Sequence, residues 1–116
     1  MALWLPKGSD LEVIARNIGI ASKPEPDGAL GHIASLLAES TDRSHAAGLL
    51  YRLVAAVRPY AEFTPLFALE AARVVLIANG YPAARIDRER AATLWADVEA
   101  GRIDTAREIG QRIVGL

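Results

Sequence analysis

The sequence contains no cysteine, and this absence excludes disulfide bonds, thiolate metal sites and cysteine nucleophiles. It has only two histidines, His32 and His45, and no HExxH-type spacing joins them, so a histidine-based metal centre is not expected. Six prolines and nine glycines among 116 residues, with a hydrophobic fraction of 52%, are typical of a folded chain and argue against disorder.

Neither sign of charge dominates, because 13 basic and 14 acidic residues give a net charge of −1. The densest basic stretch, RIDRER, is interrupted by Asp87 and Glu89, whereas DNA-binding domains usually carry a continuous basic stripe. No apolar run approaches the roughly 20 residues that a membrane-spanning helix requires. The first residues, MALWLPKGSD, are too soon interrupted for a signal peptide. We therefore expect a cytoplasmic protein that contacts neither DNA nor a membrane.

Proline, glycine and capping residues divide the chain into six predicted helices within one domain, residues 1–116. Ser9 and Glu12 have the spacing of a capping box and predict the first helix, which ends near Gly19. The later helices are predicted at about 27–39, 42–57, 65–78, 87–100 and 104–114.

The fourth helix is predicted to begin with Thr64 as N-cap and Pro65 as its first helical residue, and to end at the Asn-Gly pair 79–80. The only charged residues within this helix, Glu70 and Arg73, are three positions apart and can form an ion pair with each other. A helix that is apolar nearly all round must be covered on most sides. The sequence thus predicts an all-α bundle around residues 65–78.

The second half of the chain consists of the helix HAAGLLYRLVAAV, a short loop, a central helix ending in NG, then WADVEAGRID and a last amphipathic helix. This order of parts resembles the Fic/Doc family, and most closely its short death-on-curing toxins from prophage and plasmid addiction modules. In the family, the loop carries a motif of the form His-Pro-Phe-x-Asp/Glu-Gly-Asn-Lys/Gly-Arg, and RPYAEFTPLFA lies in that position here. The resemblance covers about residues 45–116, and the first 44 only in outline. It implies a Fic/Doc-like helical fold.

At these motif positions the chain keeps mostly residues that pack and replaces mostly residues that supply the chemistry. Pro59 and Tyr60 correspond to the proline-aromatic pair, and Glu62 to the carboxylate that binds the divalent ion in the family. The replaced positions are the base histidine (Arg58), the glycine (Phe63), the asparagine (Thr64), the lysine or glycine (Pro65) and the phosphate-binding arginine (Leu66).

Each replacement removes a capacity that the family motif would supply. Arg58 stays protonated and cannot act as a general base. Phe63 adds bulk where glycine lets the backbone approach phosphate. Pro65 has no N–H to donate, and Leu66 cannot pair with a phosphate. We therefore predict no catalytic residue and no cofactor; ATP and magnesium are expected only if a transferase with atypical residues persists.

Other interpretations of individual residues stay open. Arg58 is a candidate for anion binding beside the free N–H groups of residues 66 and 67, at the start of the fourth helix. Glu62 is a weak candidate for a cation ligand and is better interpreted as a solvated loop carboxylate. Trp4 and Trp95 are interpreted as packing residues, and the two histidines as surface residues.

Three functions follow from these observations. The first is a catalytically inactive Fic/Doc-like protein that acts by protein binding, as the toxin-like component of a toxin–antitoxin module. In the family the antitoxin's disordered tail folds as a helix into a groove of the toxin. The second is a nucleotide-dependent transferase that moves AMP or phosphate onto a protein hydroxyl. The third is an unrelated helical dimerisation module. The expected partner is an antitoxin-like helix or a neighbouring subunit, and homo-oligomerisation stays open.

Overall fold

Amphipathic segments of the chain form six helices in the computed structural model, which describes residues 3–83 and 85–116. No strand occurs within these ranges, so the predicted all-α class is confirmed. The two longest helices have 15 residues each, and none in the described part of the chain is long and apolar enough to cross a membrane. The helices are α1 (Gly8–Asn17), α2 (Ala29–Leu37), α3 (Arg43–Val57), α4 (Thr64–Ala78), α5 (Arg88–Glu99) and α6 (Ala106–Val114).

The helix with the most helical neighbours is α3, which packs against α2, α4, α5 and α6, whereas α4 packs against α1, α3 and α6. Two glycines explain the close pairing of α3 with α6. A Cβ atom on Gly48 would overlap the carbonyl oxygen of Ala106, and one on Gly110 would overlap that of Ser44. Only glycine permits such an approach of two backbones. The bundle is therefore centred on α3, which differs from the prediction that it surrounds residues 65–78.

One side of α4 is only partly covered. The helix buries Phe67, Ala71 and Val75 in the common core, but Leu66 and Ile77 are each 42% exposed. A helix that is apolar all round has more apolar surface than its neighbours in this bundle bury. The uncovered side of α4 forms one wall of the groove described below.

The start of α1 differs from the predicted capping box of Ser9 and Glu12. The N-cap residue is Lys7, and its backbone N–H donates to the carboxylate of Asp10 at 2.8 Å. Asp10 therefore supplies the acidic half of the box, and the helix begins earlier than predicted. Glu12 instead lies 3.7 Å from Arg16, one turn further along the same helix.

The predicted stop at residues 79–80 is confirmed, and it also anchors the N-terminal segment. The left-handed residue is Gly80, with φ of 99°. The side chain of Asn79 accepts a hydrogen bond from the Trp4 N–H at 2.7 Å and donates to the Trp4 carbonyl at 2.8 Å. It also donates to the carbonyl of Val75 at 2.7 Å. One side chain thus ends α4 and fixes a segment that is 75 positions away in the sequence.

Candidate functional site

The loop between α3 and α4 is a tight turn with a left-handed residue at each end. Arg58, with φ of 50°, ends α3, and Phe63, with φ of 57°, precedes α4. Pro59 is buried, and its carbonyl accepts a hydrogen bond from the Glu25 N–H at 2.7 Å. Left-handed backbone at residues other than glycine persists only where the surroundings enforce it. The loop is therefore held in one conformation by its packing.

The cap of α4 lies one residue earlier than predicted. Phe63 is the N-cap residue, and its carbonyl accepts the N–H of Phe67 at 2.8 Å. Thr64 is the first helical residue, and its hydroxyl donates to the carbonyl of Tyr60 at 3.3 Å inside the loop. Because that hydroxyl faces the loop, it does not accept a hydrogen bond from the start of the helix, as an N-cap side chain would. Pro65 is accordingly the second helical residue.

Arg58 faces α5 and not the start of α4. Its guanidinium lies 3.0 Å from the carboxylate of Glu99 and 5.8 Å from the centre of the Trp95 ring. Both members of the ion pair are about half exposed, so the pair is weak. The N–H of Phe67, one of the two donors expected beside an anion, is bonded to the carbonyl of Phe63. The predicted anion site depended on the Arg58 guanidinium and on the N–H groups of residues 66 and 67. The Arg58 guanidinium and the Phe67 N–H already have partners within the protein.

Two further side chains of the loop are the exposed carboxylate of Glu62 and the buried ring of Tyr60. Glu62 is exposed, and the part of the chain that the structure describes contains no group of three His, Asp or Glu side chains suited to a metal ion. Tyr60 is only 2% exposed, and its ring meets that of Phe67 edge-on at 5.2 Å. Burial raises the pKa of the Tyr60 hydroxyl, which has no hydrogen-bond partner among the described residues. Tyr60 is therefore a packing residue.

An apolar groove of about 520 Å³ lies between α4 and α5, next to this loop. We call it the α4–α5 groove. Its volume lies within the range of ligand-binding clefts, about 300–1,000 Å³. Tyr51 of α3 lines it and is fully buried, and its ring meets that of Trp95 edge-on at 6.1 Å. The apolar residues that line the groove include Tyr51, Leu66, Leu69, Ala91, Ala92 and Trp95.

Few charged residues border the α4–α5 groove. Glu70 and Arg73 form an ion pair at 2.9 Å along the α4 wall, which confirms the predicted pairing of the two charged residues of that helix. Arg88 borders the α5 side and is exposed. Burial raises the pKa of the Tyr51 hydroxyl above its ordinary value, so this hydroxyl stays neutral at physiological pH. The groove therefore offers a mainly apolar surface with three charged residues, Glu70, Arg73 and Arg88, in its lining.

The sequence interpretation concentrated on residues 58–66 and did not predict the α4–α5 groove. Of the eight motif positions, only Pro65 and Leu66 line it. A signal was nevertheless present, because α4 has more apolar positions than one buried face needs, among them Leu66 and Leu69. Trp95, interpreted only as a packing residue, contacts both the loop arginine and the groove.

Comparison with known proteins adds no relative to this description, because no family model, no curated protein and no solved structure matches the chain. The likeness of residues 45–116 to Fic/Doc proteins therefore stays a resemblance based on the order of the helices and the loop.

Proposed function

We propose that this protein is a catalytically inactive, Fic/Doc-like binding protein of a toxin–antitoxin type of module. In this proposal the α4–α5 groove receives an amphipathic helix of a protein partner. The observation that carries the proposal is the groove itself, a mainly apolar groove with a volume of about 520 Å³, beside a loop where the Arg58 guanidinium and the Thr64 hydroxyl bond within the protein.

The dimensions of the groove favour a helical partner. The α4 wall extends from Pro65 to Arg73, which corresponds to about 12 Å at 1.5 Å per residue, or just over two helical turns. Helices that bind in grooves use apolar anchors at i, i+3, i+4 and i+7, a pattern of the same length. Trp95 is partly exposed and offers the kind of aromatic contact that often dominates binding energy at the centre of an interface, and the buried ring of Tyr51 supports it from behind.

The loop at residues 58–66 supports the absence of catalysis in this proposal. The Arg58 guanidinium pairs with Glu99, and the Thr64 hydroxyl bonds to the Tyr60 carbonyl. A transferase needs a base near the substrate hydroxyl and donors for the phosphates. The side chains at three of the replaced motif positions, Phe63, Pro65 and Leu66, offer neither.

A photo-crosslinking residue at Ala92 in the groove would identify the partner in the native cell. Binding of the purified partner would then be measured by calorimetry for Ala92→Arg and for the control Ala96→Arg, an exposed alanine on the same helix that does not line the groove. Arginine at position 92 would place a long charged side chain against the apolar face of the bound helix, which is expected to weaken binding at least about 100-fold. The control should change binding less than about threefold. Equal affinities for the two variants would contradict the proposal.

The two other functions give distinct results. A nucleotide-dependent transferase would be stabilised by ATP and magnesium, by about 2.7 kcal/mol at a hundredfold excess over Kd. We expect no change in the free energy of unfolding under these conditions. A dimerisation module would sediment as a dimer, and Ala92→Arg would dissociate it if a second copy occupied the groove.

A further inference from the structure

We infer that the helix bound in the α4–α5 groove is acidic and presents carboxylates to Arg85 and Arg88. This inference rests on the proposed function and adds the chemistry of the partner. Both arginines are exposed and flank Ile86, which lines the groove. Neither forms an ion pair within residues 3–83 and 85–116.

Arg88 lines the groove, and Arg85 directly precedes Ile86, a lining residue at the end of the groove where α5 begins. Ile86 and Arg73 line both the groove and a small depression of about 60 Å³ that continues it towards Ile77. The segment that precedes α5 therefore approaches the C-terminal half of α4. A third guanidinium, that of Arg73, lies at this same end, where it forms an ion pair with Glu70 at 2.9 Å.

Nearby acidic residues do not cancel this positive charge within the groove. Asp87 is the N-cap of α5, and its carboxylate accepts the N–H groups of Glu89 at 2.9 Å and of Arg90 at 3.2 Å. Glu89 lines a different depression, on the side of α5 that faces α6. The α4–α5 groove is lined by neither carboxylate. The end of the groove is thus positive although the whole protein has a net charge of −1.

Charge complementarity of this kind contributes more to the specificity for a partner than to the affinity. An apolar helix with acidic flanks would pair with the arginines, whereas the same helix with basic flanks would be repelled. One exposed ion pair changes affinity only about two- to fivefold, so two pairs change it roughly tenfold at low ionic strength. The effect should shrink as salt is added, because the pairs are exposed to solvent.

Two synthetic amphipathic peptides of about 18 residues would test the inference on the full chain. They share one leucine stripe and differ only in flanking glutamates or lysines. Binding would be followed by two-dimensional NMR of the labelled protein, with attention to the backbone signals of the groove residues. The acidic peptide is expected to bind about tenfold more tightly than the basic one in about 20 mM salt.

The charge-reversal variant Arg88→Glu should remove or invert this preference. The control Arg107→Glu, an exposed arginine on α6 outside the groove, should retain it. Equal binding of the two peptides at the groove would overturn the charge inference and leave the proposed function standing. If neither peptide shifts a groove signal, the proposed function fails together with the inference.

Discussion

The contact between α3 and α6 leads to the sharpest test of the fold. In Gly48→Ala, the new Cβ would overlap the carbonyl oxygen of Ala106 and lie 2.5 Å from the backbone nitrogen of Gly110. Nonbonded carbon contacts need about 3.5 Å, so the two helices would have to separate by at least about 1 Å. Both obstacles are backbone atoms, and a change of rotamer cannot relieve the overlap.

The magnitude follows from two opposing terms. Overpacking a rigid core costs about 1–3 kcal/mol and sometimes more, and here the separation also loosens Leu50 and Ile109, which are fully buried. Alanine in place of glycine stabilises a helix by about 1 kcal/mol. Because both obstacles are backbone atoms, we expect the cost to exceed the usual range and to reach about 4 kcal/mol, which leaves a net loss of about 3 kcal/mol. A chain of this length has a total stability of about 6–17 kcal/mol, so the loss would be conspicuous.

Urea denaturation followed by far-ultraviolet circular dichroism would measure the loss. The control is Gly31→Ala in α2, where a Cβ meets nothing within 4 Å, and it should be neutral or up to about 1 kcal/mol more stable. If Gly48→Ala lowered the free energy of unfolding by less than about 1 kcal/mol, the close approach of α3 and α6 would be refuted.

Four further substitutions test the loop and α4 by the same denaturation measurement. Phe67→Ala should lose about 3–5 kcal/mol because its ring is buried, whereas Leu66→Ala, 42% exposed, should lose less than about 1 kcal/mol; similar losses would contradict the assigned faces of α4. Tyr60→Phe should gain about 1 kcal/mol by removing a buried hydroxyl without a partner, and a loss would mean that the hydroxyl is hydrogen-bonded. Asn79→Ala should lose about 1–3 kcal/mol and accelerate amide exchange at Trp4, and unchanged exchange there would exclude the anchoring contact.

Local capping signals account for most of the boundaries that could be predicted from the sequence. Asp87 was expected to open the fifth helix, and its carboxylate caps α5 through two backbone N–H groups. Gly101 was expected to close that helix, and it adopts φ of 76°. Such signals act over a few residues, so the sequence alone contains them. Where two cap residues compete within one turn, as Phe63 and Thr64 do, the local pattern places the boundary only to within one residue.

The contacts that define the candidate site join distant parts of the chain and could not be predicted in this way. Arg58 meets Glu99 across 41 positions, and its guanidinium therefore lies against α5 and not at the start of α4. The pairing of Gly48 with the backbone of α6 likewise depends on the tertiary fold. A motif aligned by position predicts which residues are near each other in a loop, but not which distant helix their side chains contact.

The apolar character of α4 connects the error about the centre of the bundle with the proposed function. A helix that is apolar on all sides can be covered by its own chain or by another molecule. The sequence interpretation assumed the first arrangement, yet α3 holds the centre because Gly48 lets α6 approach it. The surplus apolar surface of α4, including Leu66 and Leu69, then borders the groove next to Trp95. Exposed apolar surface of this kind commonly marks an interaction site. The residues that led to the wrong prediction of the bundle's centre therefore support a binding role.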